Sequence, residues 1–185
     1  MKCIEFPWNT SFTVYLCYNS VMKKVIALLL VLGIISSLFV SSSQTYEQQS
    51  LIPTLQQLLP GKPLESTLSQ LSIPYWERTI SVEERGYYHF IEFLLRKSAH
   101  FLLFGLLAAG LFLAMPSRAP RFLLASVITL ILASADEYHQ YLTGGRTASV
   151  RDVLLDMSGA LTFLVTVQLG AWFYSKRKRT AIKRK

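Results

Sequence analysis

The chain has 185 residues, of which 51% are hydrophobic and only 16% charged, and its formal net charge is +8. That apolar share exceeds what a water-soluble domain of this length carries, and the length suits a single domain. Cys3 and Cys17 are the only cysteines, so neither a disulfide framework nor a thiolate metal site is in prospect.

The apolar residues come in blocks rather than in alternation. Runs at 22–40, 98–115, 122–135 and 153–174 are almost free of charge. Several reach the roughly 18 to 20 residues that carry a helix across a bilayer. The expected fold is all-α, a four-helix transmembrane bundle with helices at about 22–42, 90–115, 122–142 and 152–174. Met22-Lys23-Lys24 ahead of VIALLLVLGII reads as a natural amino end, which leaves residues 1–21 as an upstream extension or a disordered arm. A cleaved signal peptide is the alternative for the first run, since Ser41, Ser42 and Ser43 follow it. No Cys follows there, which excludes a lipoprotein.

Residues 44–80 form the one long stretch outside the membrane, with Pro53, Pro60, Pro63 and Pro74 among many Gln and Ser. Short apolar patches such as LQQLLP predict one or two amphipathic helices lying on the membrane surface. Ser81 and Glu84 fit a capping box. From Val82 to Met115 no Pro intervenes, so a single helix of 34 residues is expected, about 51 Å long and longer than the membrane core. Its first part, with Tyr87, Tyr88 and His89, belongs in the interface. Pro116 and Pro120 then make a tight turn.

The third helix holds the informative residues. Only fourteen apolar residues separate Arg121 from Asp136, a rise of about 21 Å, which is too short to cross. Continuing to Leu142 gives about 31 Å, so Asp136, Glu137, His139 and Gln140 fall inside the membrane edge. Asp136, His139 and Gln140 share a face at i, i+3 and i+4, while Glu137 is turned about 100° away, toward solvent or headgroups. Asp152 and Asp156 share a stripe of the fourth helix with Gly159. Lys97 and His100 lie one turn apart in the second, and Arg146 follows Gly144-Gly145 in the third connection. Left facing lipid at mid-bilayer, each charge would cost about 2.5–3.5 kcal/mol or more. Facing one another across three helices they pair, which predicts a polar site. Pinning of helix ends by ion pairs is the plainer alternative.

Charge orients the bundle. With both termini in the cytoplasm, twelve of the nineteen basic side chains lie inside against Glu5 alone, including the seven of the 176–185 tail. Such Lys and Arg asymmetry sets the direction of insertion and predicts a multi-pass protein of the cell membrane with an outward-facing site. The tail itself, KRKRTAIKRK, follows a membrane helix directly. Topology and anionic lipid headgroups account for it, and no nucleic-acid partner is expected.

RKSAHFLLFG, followed some 35 residues later by DEYHQYLTGGRTASVRDVLLDMSGAL, resembles the VanZ-like family of bacterial membrane proteins. The residues carrying the resemblance are Lys97 and His100, then Asp136, Glu137 and Gln140, then Gly145-Arg146, then Asp152 and Gly159. It covers about residues 23–175, a membrane domain at 22–175 before the basic tail. The resemblance implies a membrane fold, an external polar site and a cell-envelope role. The family's named member is associated with low-level teicoplanin resistance, so glycopeptide tolerance is an expectation here. Gly144, Asp156 and Phe104 depart from the usual Pro, Asn and Tyr. The added charge and lost hydroxyl point to a different ligand or reaction.

Three classes of function follow. In the first, His100, Asp136 and His139 do proton-transfer work on an amphiphile, a phospholipid or lipid-linked envelope precursor, with Lys97, Gln140, Arg146, Asp152 and Asp156 binding it. In the second the same residues hold the precursor, or a glycopeptide, without changing it. The third is an oligomeric ion- or proton-coupled transporter, for which no broken-helix or repeat signature speaks. No nucleophile stands in a recognised context. No metal is expected, because no compact HxxxH pattern occurs and Lys97 and Arg146 oppose a cation. No cofactor is called for.

Overall fold

The computed structural model of the protein describes residues 10–75, 78–116, 119–143 and 149–183. Helix α1 spans Thr10–Ser42, and two short helices follow, α2 at Ile52–Leu58 and α3 at Glu65–Leu68. A hairpin comes next, β1 (Ile73–Tyr75) pairing antiparallel with β2 (Arg78–Ile80), Ile73 opposite Ile80. Then come α4 (Val82–Arg85), α5 (Tyr87–Ala114), α6 (Arg121–Thr143) and α7 (Val150–Lys183). Four of these are long and apolar enough to cross a membrane, over Val21–Ser42, Tyr87–Ala114, Arg121–Thr143 and Val150–Arg177. Their outward faces carry Leu29, Phe39, Leu123 and Ile131, each more than 60% exposed. In water such a surface would be an aggregation site, and in hydrocarbon it is simply solvated. The protein is a four-helix membrane bundle.

Helix α5 is the hub. Val31, Ile34 and Leu38 of α1 pack on its Phe104 and Leu107 and on Ala133 of α6. Toward the other end, Ala108 and Phe112 meet Ala125 of α6 and Ala160 and Leu164 of α7. Against α7 the approach is closest. A Cβ on Gly159 would lie 2.1 Å from the Phe101 carbonyl oxygen, and one on Gly105 2.5 Å from the Phe163 ring. Small residues let membrane helices close to backbone contact, where dispersion and packing replace the hydrophobic effect. Contacts 101–159 and 105–163 advance together, so α5 and α7 run parallel.

The chain between α1 and α5 folds into a cap over the start of α5. Ile80, Val82, Tyr87 and Phe90 form its buried centre, with Leu59, Leu68, Ile73 and Tyr75 packed around them. Tyr87 Oη donates to the Pro63 carbonyl at 2.7 Å and Tyr88 Oη to that of Leu59 at 3.0 Å. Ser81 caps α4 by accepting from Glu84 N. The single helix expected over 82–115 is not formed: α4 stops after one turn at Gly86, whose φ of 81° and ψ of 156° suit glycine alone, and α5 starts anew at Tyr87. The amphipathic helices expected in the loop are α2 and α3, but the hairpin was not anticipated. Helix α7 likewise runs past 174 into the basic tail.

Candidate functional site

At the cap end of the bundle, α5 and α7 present two ionic pairs on successive turns. Lys97 Nζ meets Asp152 Oδ1, and His100 Nδ1 lies 3.4 Å from Asp156 Oδ1. The parallel run of the two helices sets this register, since 97 and 100 on one match 152 and 156 on the other. Asp156 is 2% exposed. Its Oδ1 forms no hydrogen bond among the described residues, and the His100 contact is ionic only when the imidazole is protonated. Phe104 stacks one turn below His100, ring centres 6.0 Å apart, and closes the floor with hydrocarbon.

Helix α6 adds five polar residues on two faces. Asp136 Oδ1 accepts from Ser42 Oγ at the end of α1, and Oδ2 accepts from Gln140 Nε2 at 2.7 Å. Thr143 Oγ1 also reaches the Ser42 carbonyl at 2.8 Å, so α1 and α6 are tied at this level by side chains. His139 does not bond Asp136: its ring stacks on Phe39 of α1, centres 4.9 Å apart. Glu137 corrects the outward placement expected for it. It is 7% exposed and accepts a 2.5 Å bond from Ser149 N, on the α7 side. The cause is geometric: α6 packs against both α1 and α7, so residues 100° apart are each buried against a different neighbour. Glu137 stands within electrostatic reach of Lys97, His100 and Asp156, and Asp136 within reach of Asp156. Lys97, His100, Asp136, Glu137, Gln140, Asp152 and Asp156 therefore form one group. Arg146, with Gly144 and Gly145, lies outside the described residues.

The hairpin roofs this group. Tyr75 Oη donates to Asp152 Oδ1, the oxygen that also takes Lys97. Lys97 Nζ lies 4.9 Å from the centre of the Tyr75 ring, which in turn meets Phe93 edge-on at 5.4 Å. A residue from the non-membrane segment is thus part of the site. No sequence signal marked Tyr75, because three-residue strands have no readable period.

A second polar node, which sequence reasoning missed, fastens the cap. Glu92 is 1% exposed and accepts from Leu51 N at 2.7 Å, Arg96 Nη2 at 3.0 Å and Tyr46 Oη at 3.3 Å. Arg96 Nη2 also reaches the Gln49 carbonyl at 2.9 Å, and its guanidinium stacks over the Tyr46 ring at 4.6 Å. Burial, and then the Glu92 carboxylate, hold the Tyr46 phenol above its ordinary pKa. The Glu92/Arg96 spacing of four residues was the one available clue.

Between α1 and α6 a groove of about 260 Å³ opens on the flank of the bundle. Ile35, Leu38, Leu107 and Leu132 line its length, and Asp136 and His139 mark one end. Chemically, the cluster can exchange ion pairs with a charged headgroup, hold hydroxyl or amine donors on its carboxylates, and move a proton between His100 and Asp156.

Compared with protein families, residues 25–171 match the family model described as VanZ/LLP1. Neither the comparison with curated proteins nor that with solved structures gives a match.

Proposed function

The chain belongs to the VanZ/LLP1 family, and on that premise we propose that this multi-pass membrane protein serves the cell envelope, holding the headgroup of an amphiphilic molecule beneath its cap. The headgroup combines hydroxyl or amine donors with an anion, as in a lipid-linked envelope precursor. A glycopeptide directed at such precursors is the other candidate of that chemistry. Both termini face the cytoplasm and the cap faces outward. The supporting charge pattern is Lys23, Lys24, Arg121 and the tail at one end, with the acidic cluster at the other.

The observation that carries the reading is the Lys97–Asp152 pair under Tyr75, one turn above His100–Asp156. An ion pair at a membrane edge adds little stability for what its desolvation costs, so a paired set of this size is better explained by exchange with a ligand. In the resting site Asp152 occupies Lys97. An incoming anion takes that place, and the Gly145-Arg146 pattern of the sequence assigns Arg146 as its second cation. Asp136 and Glu137 accept from the donors of the headgroup.

The test uses a deletion strain complemented with variants at equal protein level. Teicoplanin susceptibility and extracted envelope precursors are both measured. Lys97→Ala, His100→Ala, Asp136→Asn and Arg146→Ala should each return the strain to the deletion phenotype. If all four behave as the parent, the headgroup site is wrong.

A catalytic reading has one specific observation behind it, the buried Asp156 oxygen beside His100 that forms no hydrogen bond among the described residues. In that case the deletion strain lacks a product, and His100→Ala lowers its formation by about 10²–10⁴-fold. Unchanged precursor chemistry with altered susceptibility identifies a binder.

A further inference from the structure

The flank groove has a polarity that runs along the bundle axis. Its walls are hydrocarbon from Ile35 and Leu132 up to Leu38 and Ala135, and among the described residues its polar side chains, Asp136 and His139, lie together at the cap end. Because it is cut into the lipid-facing seam between two spanning helices, bilayer hydrocarbon is the solvent that meets it. Water gains nothing from such walls. The part of an acyl chain next to its headgroup matches this gradient from apolar walls to a polar end.

The cap end of the groove is also an edge of the polar cluster. Asp136 belongs to both: it lines the groove and lies within reach of Asp156. Its two oxygens already accept from Ser42 and Gln140, neutral donors that solvate the carboxylate at the rim of the groove and leave it lone pairs for the hydroxyl or amine donors of a headgroup. His139 differs. Its ring is fixed by Phe39, and neither ring nitrogen is hydrogen-bonded among the described residues. An imidazole held in place at the headgroup level, with a donor to spare, suits a phosphate oxygen.

We infer that the α1–α6 groove is a lateral entrance and tail-binding site for a phosphate-bearing membrane lipid, with His139 contacting the phosphate as the headgroup passes to the cluster. The inference rests on the headgroup reading above and adds to it the ligand class and the route. A roofed site needs such a route, since Tyr75 and the hairpin close it from the cap side. Entry from the side leaves the cap in place. The ligand never leaves the membrane.

Native mass spectrometry of the full chain released from nanodiscs reads the groove directly. The discs contain digalactosyldiacylglycerol, which carries no phosphate, with one-fifth phosphatidylglycerol, or the same with one-fifth diacylglycerol in its place. The wild-type protein should retain about one phosphatidylglycerol per copy and several-fold less diacylglycerol. Ala135→Trp, which fills the groove from an exposed position, should abolish retention, as should Ile35→Trp from the α1 wall. Ile131→Trp, on the outer face of α6, should not, and it controls for insertion and folding. His139→Ala should keep lipid but lose the preference for phosphate. Retention by Ala135→Trp and Ile35→Trp at the wild-type level, or equal retention of both lipids by the wild-type protein, overturns the inference. Lys97→Ala and Asp152→Asn retain lipid here whatever their phenotype in cells, so failure of the groove and failure of the headgroup site are told apart.

Discussion

Gly159 is the residue with least room for change. Its missing Cβ lets the Phe101 carbonyl of α5 approach α7, at a point where any Cβ would meet backbone at 2.1 Å. Gly159→Ala should lower the thermal midpoint in detergent, at a cost of about 1–3 kcal/mol from overpacking. Gly105→Ala should cost less, because the obstacle at 2.5 Å is the Phe163 ring, which can turn. Gly170→Ala, with nothing within 4 Å, should be neutral or slightly stabilising. At this scale the sequence was readable where a partner lay on the same helix, as with Asp136 and Gln140. It was readable too for unlike charges placed at one depth on different helices, as with Lys97–Asp152 and His100–Asp156, and unreadable where the partner was an uncharged group of another element. Ser42 and Thr143 carry no mark as ligands of α6 and α1, and Glu137 was misplaced because one helical wheel assumes one buried face.

Among elements, the cap and its hinge decide how the site is covered. Gly86 separates α4 from α5 at a backbone angle that other residues resist. Gly86→Ala should cost about 1–3 kcal/mol and should loosen α4 and the hairpin before the membrane helices melt, as read by hydrogen exchange. The Glu92–Arg96 node holds the other side. Glu92→Ala strips Leu51 N and Arg96 of a buried acceptor. It should therefore expose residues 43–59 to protease at a cost of about 3–5 kcal/mol, with Glu92→Gln retaining part of the protection. The spans and the Ser81 cap were legible because length, apolarity and capping chemistry are local properties. The hairpin and the break at Gly86 were not, since both depend on what the cap packs against. A lone Gly in an otherwise helical pattern is ambiguous until its neighbours are known.

For the whole molecule, the charge gradient predicts which end faces the cytoplasm. Cys3 and Cys17 can be replaced by Ser, giving a background without thiols. A single Ser66→Cys in the cap should then react with a membrane-impermeant maleimide on intact cells, and Ser175→Cys near the tail only after permeabilisation. The reverse pattern would place the acidic cluster on the cytoplasmic face and remove external ligands from consideration. Blocked hydropathy made the four spans visible without coordinates, whereas the groove between α1 and α6 is a property of packing alone. The parallel seam of α5 and α7 carries one more implication. A carbonyl lodged where a side chain should be acts as a detent: neither helix can ratchet or roll past the other without a backbone collision. The two are therefore locked in register along this seam.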